Sequence, residues 1–130
     1  MQGVRPPTYR ETHMNYVEGF VAAVPAANKE AYLDLARKVA PLFKEFGVSR
    51  FVECWEDDVP DGKLTDFRRA VQAKEDEKVV FSWFEYPSKE VRSSVQEKMM
   101  NDPRMKEMGD EMSFDGKRMI FGGFVPILDE

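Results

Sequence analysis

The sequence predicts an α+β domain in which a four-stranded antiparallel sheet carries helices on one face. Three observations lead there. Apolar residues recur with a period of two in four short runs and at intervals of three and four in two longer ones. The runs follow one another as strand, helix, strand, strand, helix, strand. At least ten of the sixteen aromatic residues fall in the four strand runs, so the sheet carries much of the bulk available for a core.

The first run, Asn15 to Val24, holds Tyr16, Val17, Phe20, Val21 and Val24 and stops at Pro25, which marks a strand with apolar groups on both faces. It belongs in the middle of the sheet. Asn28 is placed to cap a helix in which Tyr32, Leu35, Ala36, Val39, Phe43 and Phe46 form one stripe, with Gly47 just past its end. Pro41 lies inside that helix and predicts a bend rather than a break. Val48 to Glu56 alternates Phe51, Glu53 and Trp55 with Val52, Cys54 and Glu56, which predicts a second strand with unusual carboxylates. The third strand, Val79 to Tyr86, is apolar on both sides.

The connection from Asp57 to Lys78, about twenty residues, is too long for a hairpin loop and predicts a short helix near Thr65 to Ala73, capped by Thr65 or Asp66. Ser88 caps a helix that runs to about Asn101, and Asp102-Pro103 restarts helix as a cap followed by a first-turn proline. Asp115-Gly116 makes a turn before the last strand, Met119 to Val125, whose Gly122-Gly123 pair permits a bulge or a close backbone approach. This order is that of ferredoxin-like folds.

Two helices cover one sheet face, yet aromatic residues alternate onto both. A bare second face would exceed the apolar patch usual for a monomer, so a second copy packed sheet to sheet is expected, giving a homodimer.

Composition bounds the rest. A chain of 130 residues with 42% hydrophobic content is the size of one domain. Nineteen basic against twenty-four acidic side chains leave a net charge of −5 and no basic stripe, so nucleic acid is not an expected partner. No run approaches a membrane span, and no secretory h-region is present. With a single cysteine, Cys54, no internal disulfide forms, and a cytoplasmic location is expected. Residues 1–13 read as a leader, vector-derived or disordered, because the stretch is aperiodic and its last residue, His13, forms with Met14 a common cloning-junction dipeptide; the alternative is a native extension or an upstream start codon. The domain is expected over 14–130. His13 is the only histidine, so the domain itself offers no imidazole for a nucleophile pair or a metal.

Six blocks in order carry a family resemblance: Tyr16-Val17-Glu18-Gly19-Phe20, Glu53-Cys54-Trp55, Asp58-Val59-Pro60-Asp61-Gly62-Lys63, Phe81-Ser82-Trp83, Asp102-Pro103-Arg104-Met105 and Phe114-Asp115-Gly116-Lys117-Arg118-Met119. From Met14 to Glu130 the chain resembles the YbaA-like family of uncharacterised bacterial proteins. The resemblance implies the dimeric α+β barrel fold, shared with cofactor-free monooxygenases, haem-degrading enzymes and binding proteins, and it implies no particular activity.

The candidate site is the face carrying Glu53 and Trp55, with Tyr16 and Trp83 as neighbours. Together they make an aromatic cavity holding one carboxylate, suited to a flat organic ligand or a phenol. Arg118 is a cation that grips an anionic ligand or pairs with a carboxylate. Core packing accounts for the same residues if Glu53 pairs with Arg50 or Arg118. A Glu53 desolvated without such a partner would titrate high and serve as a general base. Cys54 on a strand reads as a small buried hydrophobe. The methionines at 99, 100, 105, 108 and 112 read as a helix face on the sheet or an adaptable binding surface. No metal or cofactor is expected: Asp57 to Arg68 fails as a calcium loop at Val59 and Arg68, and Gly62-Lys63-Leu64-Thr65 lacks the upstream glycine of a phosphate loop. Two functions of different class remain, a dimer that binds a small aromatic or hydrophobic molecule, with a cofactor-free monooxygenase-like oxidation of it as the catalytic variant, and a structural or regulatory homodimer without chemistry.

Overall fold

The computed structural model describes residues 16–130; the leader and the domain start at Met14 lie outside the described residues. Strand β1 (Tyr16–Pro25) leads through a 3₁₀ turn into helix α1 (Lys29–Phe46), then β2 (Arg50–Trp55), the short helix α2 (Phe67–Ala70) and β3 (Glu77–Tyr86). Helices α3 (Lys89–Asn101) and α4 (Pro103–Gly109) follow, and β4 (Ile120–Phe124) closes the sheet. The spatial order is β2-β3-β1-β4, every pair antiparallel. The two ten-residue strands are central, as their apolar character on both faces requires.

Register decides which residue faces what. Tyr16 pairs with Tyr86, Glu53 with Ser82, and Val17 with Phe124. Even positions of β1 and β3 thereby point toward the helices, where Phe84 meets Phe20, Phe43 and Phe51 at ring separations of 5.0, 4.8 and 5.0 Å. Val39, Leu42, Phe43 and Phe46 from α1, with Val95 from α3, complete this core. Gly47 ends α1 at φ 133°, and its backbone sits against Val91 and Val95, so a side chain there would strain the backbone and crowd α3.

Two local expectations are corrected. Asn28 does not cap α1 with its side chain: the 3₁₀ turn leaves it at φ −98°, ψ 11°, away from the extended geometry a cap requires, and its amide donates to the Ser113 carbonyl at 2.7 Å. Cys54 is exposed, because its strand position points it to the sheet face away from the helices. Other local signals appear as expected. α1 continues through Pro41, and the carboxylates of Asp66 and Asp102 and the Ser88 hydroxyl accept the expected N-terminal amide bonds.

The second sheet face is only partly bare. The connection between β2 and β3 folds over one end of it, burying Val71 against Ala23 and Val79. Asp66 holds α2, and Arg68 ties the connection to Glu56 at 2.7 Å and to the Glu77 and Lys74 carbonyls. Beyond that cover, Phe81, Ile120 and Phe124 stay exposed, as do Ile127 and Leu128 of the C-terminal segment. Among the described residues no helix is long and apolar enough to cross a membrane.

Candidate functional site

Between the sheet and the helices lies a pocket of about 330 Å³. Its floor is β1, β2 and β3, which contribute Phe20, Phe51, Glu53, Ser82 and Phe84; its sides are Tyr32, Leu35, Val39 and Phe43 of α1. Met105 and Met108 of α4, with Met112, Phe114 and Met119, close the remaining side. The volume falls at the small end of ligand pockets, and the walls are almost wholly apolar.

Glu53 is the exception. Alternation along β2 that sends Phe51 into the core sends Glu53 into the pocket, where α1 brings the Tyr32 hydroxyl to donate to Oε1 at 2.7 Å. Ser82, opposite Glu53 on β3, is a second hydrogen-bonding partner. Burial raises the Glu53 pKa above the ordinary carboxylate value, and the bonds from Tyr32 and Ser82 recover only part of that shift. Burial and the neighbouring carboxylate together raise the Tyr32 phenol pKa, so Tyr32 stays protonated and donates. The pair is a hydrogen-bond acceptor of enhanced basicity, oriented by a phenol and set in an apolar pocket.

Expected ion pairs to Glu53 are not made. Arg50 reaches Glu85 at 3.4 Å, and Arg118 pairs with Glu77 through two bonds of 2.7 and 2.6 Å. The reason is facing: Arg50 and Glu85 are register partners, while Arg118 enters from the 3₁₀ turn Gly116–Arg118 ahead of β4.

Of the five residues singled out in the sequence, Glu53 alone lines the pocket. Trp55 shares its side of β2 but lies under the Lys29 ammonium, 5.4 Å from the ring centre. Tyr16 is on the helix side at the far end of β1, accepting from Arg92 at 2.6 Å beside the buried Glu18. Trp83 is on the opposite face, its indole N–H donating to Glu85 at 2.8 Å. Sequence reasoning missed Tyr32 and Ser82 as site residues. A signal existed for Tyr32, since a tyrosine on a buried helix stripe has a hydroxyl that needs a partner.

A family model described as "Protein of unknown function (DUF1428)" matches residues 15–116. The chain belongs to this family. Curated relatives include "Uncharacterized protein YbaA" of Escherichia coli (strain K12) and of Shigella flexneri, each 68% identical over 117 residues, which cover 90% of this chain and all of the relative. Among solved structures, a NIPSNAP family protein of unknown function from Agrobacterium tumefaciens superposes with a TM-score of 0.56 at 11% identity, covering 88% of this chain and 90% of that one. A dimeric ferredoxin-like protein from an uncultured marine organism gives 0.54 at 12% identity, covering 89% and 99%. These distant likenesses place the DUF1428 fold in the ferredoxin-like α+β class.

For this DUF1428 chain the Glu53 arrangement carries a cost with a defined sign. A carboxyl whose folded pKa is raised binds more protons folded than unfolded, so stability falls as pH climbs through the ordinary carboxylate value toward the raised one. Glu53→Gln, which keeps an acceptor for Tyr32 without the charge, is therefore expected to melt higher than wild type at pH 8 and alike at pH 4. Equal melting temperatures at both pH values would show that Glu53 carries no burial penalty.

Proposed function

We propose that the protein is a homodimer in which each protomer binds a small hydrophobic or aromatic molecule in the pocket between sheet and helices. The observation that carries this reading is a carboxylate placed in an apolar pocket of about 330 Å³ with hydroxyl partners and, among the described residues, no cation. Core packing alone would favour an apolar residue at position 53, because an acid desolvated there destabilises the fold, and such local losses tend to be kept where they serve function. A sealed core would have favoured a purely structural dimer; the open volume reaching Glu53 favours a ligand. The exposed thiol of Cys54 is consistent with a reducing, cytoplasmic setting, and the acidic charge balance argues against a polyanionic partner.

The dimer rests on the other sheet face. Val17, Val21, Phe81, Trp83, Ile120 and Phe124 border a groove of about 760 Å³ with the C-terminal segment at its edge, and this surface is apolar enough to seek a partner. In an isologous dimer this face would pack against the same face of a second copy across a two-fold axis. Phe124→Asp, at a side chain already 64% exposed in the protomer, is expected to yield a folded monomer by light scattering at micromolar concentration. A wild-type monomer under the same conditions would refute the dimer. Native mass spectrometry of wild type tests both parts: a dimer with a reproducible added mass is expected, and bare dimers from several growth conditions would count against the ligand.

A further inference from the structure

We infer that the pocket selects an uncharged, flat ligand that presents a hydroxyl donor to Glu53, and that it rejects ligands bearing a carboxylate. This inference rests on the ligand-binding reading above and names the chemistry of its occupant. The first argument is charge. Among the described residues the polar side chains lining the pocket are Tyr32, Glu53 and Ser82, and none of its described walls is a lysine, arginine or histidine. Lys29 lies over the Trp55 ring, and Arg50 pairs with Glu85 on the other sheet face. An anionic ligand would therefore face the half-buried Glu53 carboxylate across an apolar pocket in which no described cation offsets the repulsion.

The second argument is hydrogen-bonding capacity. A carboxylate has about four acceptor sites, and Tyr32 and Ser82 engage two, so Glu53 can still accept from a ligand O–H. Such a bond, to a charged acceptor away from water, is stronger than a neutral one. The third argument is shape. Phe20, Phe51 and Phe84 offer ring edges and faces from the sheet, and Met105 and Met108 supply a polarizable wall that adjusts to a planar guest.

Three probes with one carbon skeleton separate these contributions: naphthalene, 2-naphthol and 2-naphthoate, titrated into wild-type protein near pH 8 with binding located by backbone amide NMR shifts. Naphthalene should bind and perturb Ser82 and Phe84. The naphthol should bind about tenfold tighter than naphthalene, the gain of one charge-assisted hydrogen bond, and at least as far ahead of the naphthoate. In Glu53→Gln the naphthoate should recover about tenfold while naphthalene is unchanged, and Glu53→Leu serves as the second variant should the first fail to fold. If naphthol and naphthalene bind alike, or naphthoate binds as well as naphthol, the inference falls while the pocket reading stands. If no probe binds, or all perturb Phe81 and Phe124 on the other face instead, the pocket reading falls and takes the inference with it.

Discussion

Replacing Arg118 with alanine is expected to lower the melting temperature by about 10 °C at neutral pH, since breaking a buried ion pair from one side leaves the other charge uncompensated. Arg118 joins three separate stretches. Its guanidinium donates to both Glu77 oxygens, to the Gln72 carbonyl at 2.8 Å and to Asp115 at 3.1 Å, linking the start of β3, the end of the α2 connection and the turn into β4. Gln72 sits at φ 52°, a left-handed conformation that a non-glycine residue holds at some cost, so that turn depends on contacts of this kind. The pair is nearly sealed, with side-chain exposures of 15% for Arg118 and 5% for Glu77. The hydrogen bonds from Arg118 hold the Glu77 pKa down at about 2. For a depressed acid the stabilisation is complete above the ordinary carboxylate value and is lost as pH falls toward 2, so the gap between wild type and variant should narrow over that interval. Arg118→Lys should recover only part of the loss, because an ammonium cannot reproduce the two-pronged bond. A melting temperature within two degrees of wild type for the alanine variant would show that the clamp is dispensable.

Gly123→Ala is expected to cost about 2–3 kcal/mol, as overpacking at a rigid site does. Gly123 pairs with Glu18 across the sheet, and a methyl group there would overlap the Tyr16 hydroxyl and the Arg92 guanidinium. Neither can yield easily. Tyr16 is buried, and Arg92 donates both to its hydroxyl and to Gln96 at 3.0 Å, while Gln96 in turn donates to Glu18 at 3.2 Å. Moving Arg92 would leave the Glu18 carboxylate without its neighbouring guanidinium. The adjacent Gly122→Ala provides the control, since its methyl group would meet only the Phe124 ring at an ordinary 3.7 Å. Urea unfolding of the two variants should separate them clearly; equal losses would mean that the strand, rather than the packing around residue 123, requires glycine.

These two residues also mark where reading the sequence succeeded and where it stopped. The Gly-Gly pair was legible as a bulge or a close approach, and the unbroken register Val17–Val21 with Ile120–Phe124 shows the latter. Element order was legible because periods of two and of three to four are distinct, and because Ser88, Asp66 and Asp102-Pro103 are local signals whose partners lie within three residues. Arg118 was legible as a cation but not as the partner of Glu77, which is 41 residues away in sequence and joined to it only through strand pairing. The candidate site divided in the same way. Glu53 stood out as a carboxylate in an apolar strand, and its side of β2 followed from alternation with Phe51. Placing Trp83 beside it failed because β3 is apolar on both sides, so its sequence does not tell which set of positions meets the helices. The pairing of Glu53 with Ser82 settles that, turning Ser82 inward and Trp83 outward.

Strand β3 acts as a party wall. Ser82 and Phe84 furnish one room and Phe81 and Trp83 the other, separated by the thickness of a single backbone. Because each residue belongs to one side only, a codon change can reshape the inner room while leaving the outer surface untouched, and the reverse holds for the neighbouring codon. The guest preference and self-association proposed above would therefore be free to drift independently among descendants of this chain, although one strand of ten residues contributes to both.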